Sequence, residues 1–202
     1  MKQVKTFLLA AAAGIAIGIG GTVFLSLDSK LAGAVLFAVG LYIICVHGLN
    51  LYTGKVGYLF SNPPSYLLDL GIIWLGNLAG TGITAWFVRL SRINAIAEKA
   101  AALCAVKSGD RLLSLFLLGI LCGLLMYAAV EGYKRCANPL ILFACVAAFI
   151  LCGFEHCIAD MFYYWLAGSM DGRALICLLA ITLGNSVGGV LIPLTGMVKT
   201  EH

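Results

Sequence analysis

Six stretches of this chain carry no Asp, Glu, Lys or Arg: residues 6–27, 31–54, 70–88, 112–130, 136–154 and 174–198. Each holds at least 19 residues, and about 20 apolar residues in a helix cross the hydrocarbon core of a bilayer. Only helices and closed barrels satisfy their backbone hydrogen bonds in lipid, so runs of this length predict six membrane-spanning helices. The polar remainder cannot cover a soluble domain. Charged residues are 11% of the chain, against about 25% in soluble proteins. The first run follows Lys2 and Lys5, in the manner of a signal peptide, but its 22 residues exceed the roughly 7–15 of a signal core. It reads as a retained first helix.

Two shorter apolar runs, 56–68 and 161–170, are too short to span. Each follows an interruption. The second span ends in Leu51-Tyr52-Thr53-Gly54-Lys55, and the fifth breaks at Cys152-Gly153-Phe154-Glu155-His156. Gly54 and Gly153 are the expected break points, since glycine adopts non-helical backbone most easily. The spans that follow share a motif. Gly76-Asn77-Leu78-Ala79-Gly80 lies in span three and Gly184-Asn185-Ser186-Val187-Gly188 in span six. A GNxxG after each broken span marks an internal repeat. Three spans per half is an odd number, so the halves are inverted. The expected division is one transmembrane domain over 1–202, with repeat one at 1–92, a linking loop at 93–106 and repeat two at 107–202. Broken spans at corresponding places in inverted halves point to a transport pathway. Ordinary kinks are the alternative. Glycine pairs at four-residue spacing, Gly14/Gly18, Gly76/Gly80 and Gly184/Gly188, suit close helix packing and say nothing of substrate.

Among ionisable residues, His156 is the sharpest candidate, because such groups at membrane depth are costly and mark function. It titrates near neutral pH in water, or it serves structurally by bonding a carbonyl in the break. His47 lies in an apolar run with no acidic neighbour and reads as structural, and His202 is terminal. Glu155 is read as bracing the break by accepting backbone N–H groups. Asp160, four residues past His156, shares its helix face and offers a proton relay. Thr53 either donates to a substrate or to His156 across the pore, or caps the half-helix after it. Phe37, Leu41, Leu51, Tyr52 and Phe149 are either constrictions or ordinary packing.

The segment 89–111 carries five of the 13 Lys and Arg residues and contains an alanine-rich stretch, 94–106, that reads as a short surface helix. With six spans, Lys2, Lys5, Lys55, Lys134, Arg135 and Lys199 fall on the side of the termini, and seven cations fall on the other. The positive-inside rule therefore assigns no orientation. No Lys/Arg cluster suggests nucleic acid. The eight cysteines form no CxxC pair and read as small apolar packers. Asn62-Pro63-Pro64 and Asn138-Pro139-Leu140 are not the NPA boxes of water channels. The first reads as a turn and the second as a helix start.

With these residues in hand, the chain resembles the formate/nitrite transporter family. Gly153-Phe154-Glu155-His156-Cys157-Ile158-Ala159-Asp160-Met161 is similar to that family's GFEHxxANM stretch. Leu51-Tyr52-Thr53-Gly54, Leu183-Gly184-Asn185-Ser186-Val187-Gly188-Gly189, Lys5-Thr6-Phe7 and Gly119-Ile120-Leu121-Cys122 match its other motifs in order. The resemblance implies an all-α, aquaporin-like fold of six transmembrane helices in two inverted three-helix repeats, assembled as a homopentamer in the bacterial inner membrane with cytoplasmic termini. It implies a channel for small monovalent anions, with no cofactor, no metal and no enzymatic chemistry. His156 would be the central pore histidine, faced by Thr53. Lys5 and Lys107 would draw anions into the two vestibules. Phe37, Leu41 and Phe149 would form one constriction, and Leu51 and Tyr52 would contribute to the other.

Several positions depart from the family. Gly123 stands where asparagine is usual, which would remove a polar pore contact. Met126 replaces a smaller constriction residue, and Asp160 replaces an asparagine. The chain also starts at about the first span, without the amphipathic helix implicated in gating. A bare anion pays several kcal/mol to leave water, so the expected mechanism has His156 donate a proton or a strong hydrogen bond between the constrictions. An aquaporin-like pore for a neutral solute is the alternative. A membrane enzyme would need metal ligands or a nucleophile set, and the sequence holds no HxxxH.

Overall fold

In a computed structural model that describes residues 1–197, those residues form helices joined by short turns. Lys199 and His202 lie outside the described residues. The helices are α1 (Lys2–Ser26), α2 (Lys30–His47), α3 (Tyr52–Lys55, continued by a 3-10 turn, Val56–Ser61), α4 (Tyr66–Leu90), α5 (Ile96–Gly109), α6 (Leu112–Cys136), α7 (Leu140–Cys152), α8 (Cys157–Ala167) and α9 (Gly172–Met197). Five of them, α1, α2, α4, α6 and α9, are long and apolar enough to cross a membrane. The pair α7 and α8, bent by 58° at its break, makes a sixth span. Many large apolar side chains face outward, among them Leu67, Trp86, Phe87, Leu113 and Leu183. That surface suits lipid or a neighbouring subunit rather than water.

The two halves pair their elements in the same way. α1 packs on α4 as α6 packs on α9, and α2 meets α7 between the halves. The glycine spacing sets these approaches. A Cβ on Gly80 would collide with the Ala11 carbonyl of α1, and one on Gly188 with the Ile120 carbonyl of α6.

Gly123 belongs to the same class of close approaches. Its Cα faces the backbone of Asn185 on α9, so a side chain there would meet α9 first. We predict that Gly123→Ala costs about 1–3 kcal/mol, the usual range for overpacking. A lowered unfolding temperature of the solubilised protein checks this. An unchanged melting curve would mean that α6 and α9 are farther apart.

The linking segment is more than a surface helix. α5 runs to Gly109 and buries Ile96, Ala100 and Cys104 against α8. Lys107 lies in its last turn.

Candidate functional site

Both broken spans stop in the same way. Gly48 ends α2 with φ +62° and Gly153 ends α7 with φ +73°. In each, the next residue's N–H turns back to the preceding helix: Leu49 N donates to Ile44 O and Phe154 N to Phe149 O, both at 2.9 Å. These are helix terminations that need the left-handed conformation, where glycine carries no Cβ penalty. The counterpart of Gly153 is thus Gly48. Gly54 lies inside α3 against Val130 and breaks nothing. Gly48-Leu49-Asn50-Leu51-Tyr52 aligned with Gly153-Phe154-Glu155-His156-Cys157 carries that signal in the sequence.

Each break is held by the asparagine of its GNxxG motif. Asn77 Oδ1 accepts from Tyr52 N at 2.9 Å, and its Nδ2 donates to Asn50 O at 2.9 Å and Ala10 O at 2.8 Å. Asn185 Oδ1 accepts from Cys157 N at 2.9 Å, and its Nδ2 donates to Glu155 O and Gly119 O, both at 2.8 Å. One buried amide thus joins the two ends of a break to the first helix of its half. Non-helical backbone at this depth needs such partners. The motif flagged these residues, but their clamp role needs the fold, because the bonded partners are 25 to 67 residues away.

At these breaks the structure brings Thr53 and His156 together. Thr53 Oγ1 and His156 Nε2 are 3.0 Å apart, and both residues are buried. His156 is the N-cap of α8, and its Nδ1 accepts from Ala159 N at 3.1 Å. An imidazole that accepts at Nδ1 carries its proton on Nε2. His156 is therefore neutral here and donates to Thr53. Thr53 Oγ1 has no further partner among the described residues, so its own proton is available to a substrate oxygen. Phe149 stacks on the imidazole at 5.6 Å and meets Phe37 edge-on at 6.0 Å. Phe37, Leu41, Phe149, Leu51 and Met126 are all buried. Tyr52 is half-buried, with its hydroxyl 2.9 Å from Ser186 Oγ of α9. His47 is exposed at the end of α2.

Two cavities flank the Thr53–His156 contact. One, of about 250 Å³, is lined by Ile44, Leu51, Gly54, Lys55, Val130 and Lys134 and lies toward the termini. The other, of about 220 Å³, is lined by Lys30, Lys107, Phe149, Glu155, His156 and Asp160 beside α5. Lys5 is exposed on the first turn of α1 and does not line the first cavity. The cations there are Lys55 and Lys134, which the sequence reading missed.

Lys107 also differs from a free vestibule cation. Its ammonium bonds the Glu155 carboxylate and lies 2.9 Å from Asp160 Oδ1. Its side chain is 12% exposed, Glu155's 9% and Asp160's 2%. Burial works to lower the Lys107 pKa, but the two carboxylates outweigh it and hold the ammonium above the ordinary lysine range. Glu155 thus braces the break through Lys107, and through its own carbonyl bonded by Asn185, rather than by accepting backbone N–H groups.

Inverted halves, two clamped helix breaks and a buried polar contact between two cavities define a channel-like membrane protein. The pattern of the formate/nitrite transporter family matches residues 1–199, and the chain belongs to that family. It is 28% identical over 239 residues to the formate channel FocB of Escherichia coli, covering 95% of this chain and 85% of that one. It is 26% identical over 208 residues to the nitrite transporter NirC of Salmonella typhimurium, covering 90% and 77%. Among solved structures, a pentameric formate channel with formate bound aligns with TM-score 0.79 and 25% identity, over 97% of this chain and 95% of that one. An ion channel of the same family aligns with TM-score 0.84 and 24% identity, over 96% and 89%, a likeness of fold.

Proposed function

We propose that this chain forms a homopentameric channel in the cytoplasmic membrane for small monovalent anions of weak acids, such as formate, nitrite or hydrosulfide. The observation that carries the reading is the Thr53–His156 bond, buried between a cavity with two lysines and a second cavity on the opposite side. Cations in a mouth raise the local concentration of anions, which a neutral solute would not need.

At the centre, an anion oxygen takes the place of one partner in the Thr53–His156 bond. The Nε2–H and the Thr53 hydroxyl then both donate to it. Because Nδ1 is engaged by Ala159 N, His156 acts as a hydrogen-bond donor, and adding a second proton to the ring would cost the α8 cap. The proton that neutralises the substrate is drawn from elsewhere. Phe37, Leu41, Phe149, Leu51 and Met126 exclude water around this point.

A hydrogen bond to a charged group is worth about 1.5–3 kcal/mol, or roughly ten- to a hundredfold in rate. His156→Phe is therefore expected to slow formate flux into liposomes, read as internal pH after a formate gradient, by at least about tenfold. Thr53→Val is expected to lose about tenfold. Urea passage with no anion response would replace this reading with a neutral-solute pore. Anion flux left intact in His156→Phe would remove the histidine from the mechanism.

A further inference from the structure

Beside α5, the buried Lys107 ammonium meets two carboxylates, one more than it can balance. Glu155 and Asp160 both bond the Lys107 ammonium, and all three side chains are almost wholly buried. Asp160 Oδ2 is buried and has no hydrogen-bond partner among the described residues. It belongs to a side chain that lines the cavity shared with His156.

Other groups do not remove the surplus. From α5, Asp160 is faced by Lys107 and Cys104. Its own helix and the preceding break add Glu155, His156, Cys157, Tyr163 and Tyr164. Arg89 of α4 is engaged by the Leu166 carbonyl at the far end of α8. α9 brings Cys177, bonded to the Lys107 carbonyl. The ionisable side chains of α1 are Lys2 and Lys5, at its opposite end. Lys30, across the same cavity, is exposed and donates to the Leu151 carbonyl at 3.3 Å, so water screens its charge from the buried cluster. With both carboxyls ionised, the cluster would bury a net negative charge beside the path of an anion. Such a charge is costly in a low-dielectric interior, and two adjacent carboxyls relieve it by sharing one proton.

We infer that the Asp160–Glu155 pair holds one proton at neutral pH, and that Asp160 is the donor that neutralises a weak-acid anion at the α5 mouth before it reaches His156. The step rests on the transport reading above. The O–H bond of the carboxyl breaks and its electron pair stays on Asp160, while the proton forms a new O–H bond on the anion. Water at the mouth returns the proton to the pair after the neutral acid has moved on. The neutral imidazole of His156 then needs only to bond the substrate.

The test uses the full-length protein in liposomes, with formate as probe. Infrared spectroscopy at neutral pH is expected to show a protonated-carboxyl C=O band that is lost in Asp160→Asn. That variant keeps the side-chain size, and an unchanged melting temperature checks its fold. Its formate influx from the α5 side is expected to fall about tenfold at neutral pH and to become insensitive to the pH on that side. Asp160→Glu, which keeps a carboxyl, is expected to retain both the band and the pH dependence. A wild-type protein that moves formate but shows no such band overturns the inference. So does an Asp160→Asn variant that loses the band with its flux unchanged. A wild type that moves no formate overturns the transport reading instead, and the donor step with it.

Discussion

Replacing Lys107 with Met is expected to destabilise the protein by about 3–5 kcal/mol, the usual cost of removing one partner from a buried ion pair. The substitution strands Glu155 and Asp160 without a counter-charge. Both sit at the fifth-span break, so the loss concentrates where the pore is built. The check is thermal unfolding of the solubilised protein with pH varied. Acidification is expected to recover part of the loss in Lys107→Met, because protonating the stranded carboxyls removes the buried charge. The wild type behaves otherwise at the alkaline end. The Lys107 pKa is raised, so its contribution is complete below the unfolded lysine value of about 10.4. It is lost only as pH climbs through the higher folded value. The triple variant Lys107→Met, Glu155→Gln, Asp160→Asn is expected to be more stable than Lys107→Met alone. If it is equally unstable, lost packing rather than stranded charge is the cause.

Asn185→Ala is the second large effect. The amide serves three buried backbone groups, Cys157 N, Glu155 O and Gly119 O. A buried polar group left unpaired costs about 1–3 kcal/mol, so the variant is expected to lose at least about 3 kcal/mol and its transport. His156 is carried on the segment that Asn185 fixes, lying between Glu155 and Cys157, so its 3.0 Å approach to Thr53 depends on the clamp. Asn77→Ala removes the equivalent three bonds in the other half and is expected to match it. The measurement is melting temperature together with formate flux. A large loss in one half with none in the other would sink the idea that the two clamps are equivalent.

The symmetry of the clamps explains why this fold tolerates exposed backbone at membrane depth. Each break leaves carbonyl and N–H groups without helical partners. Glycine turns back one set, and asparagine takes another. The chain then places different side chains on equivalent frames: His156 caps α8, and Leu51 stands at the same place before α3. A symmetric scaffold thereby carries an asymmetric site, with one polar donor on one side and an apolar wall on the other. Its two cavities are equally unlike in charge. Among the described residues, the lysines toward the termini meet no carboxylate in the lining, whereas Lys107 meets two.

Much of the frame was legible in the order of residues. The spans follow from the length of charge-free runs, because hydrophobic thickness is met locally along the chain. The repeat follows from GNxxG recurring after each interruption, and the family from the stretch Gly153–Met161. His156 and Thr53 stood out as polar residues at breaks in apolar spans. The glycine pattern places the second span's break at Gly54, six residues past Gly48, where α2 ends. The reason is physical: glycine composition alone does not say which glycine has positive φ, and Gly54 serves packing against Val130.

What the sequence by itself determined is the set of elements and the repeat that orders them, since hydrophobic length and motif spacing are local properties. Only the tertiary structure decided what the polar residues do. Thr53 meets His156 across 103 residues, and Lys107 meets Glu155 across 48. Nothing in the local pattern distinguishes a lysine free to attract anions from one neutralised in the interior. That difference lies in the packing of α5 on α8, which buries Lys107 beside two carboxylates and leaves Lys55 and Lys134 to line the cavity toward the termini.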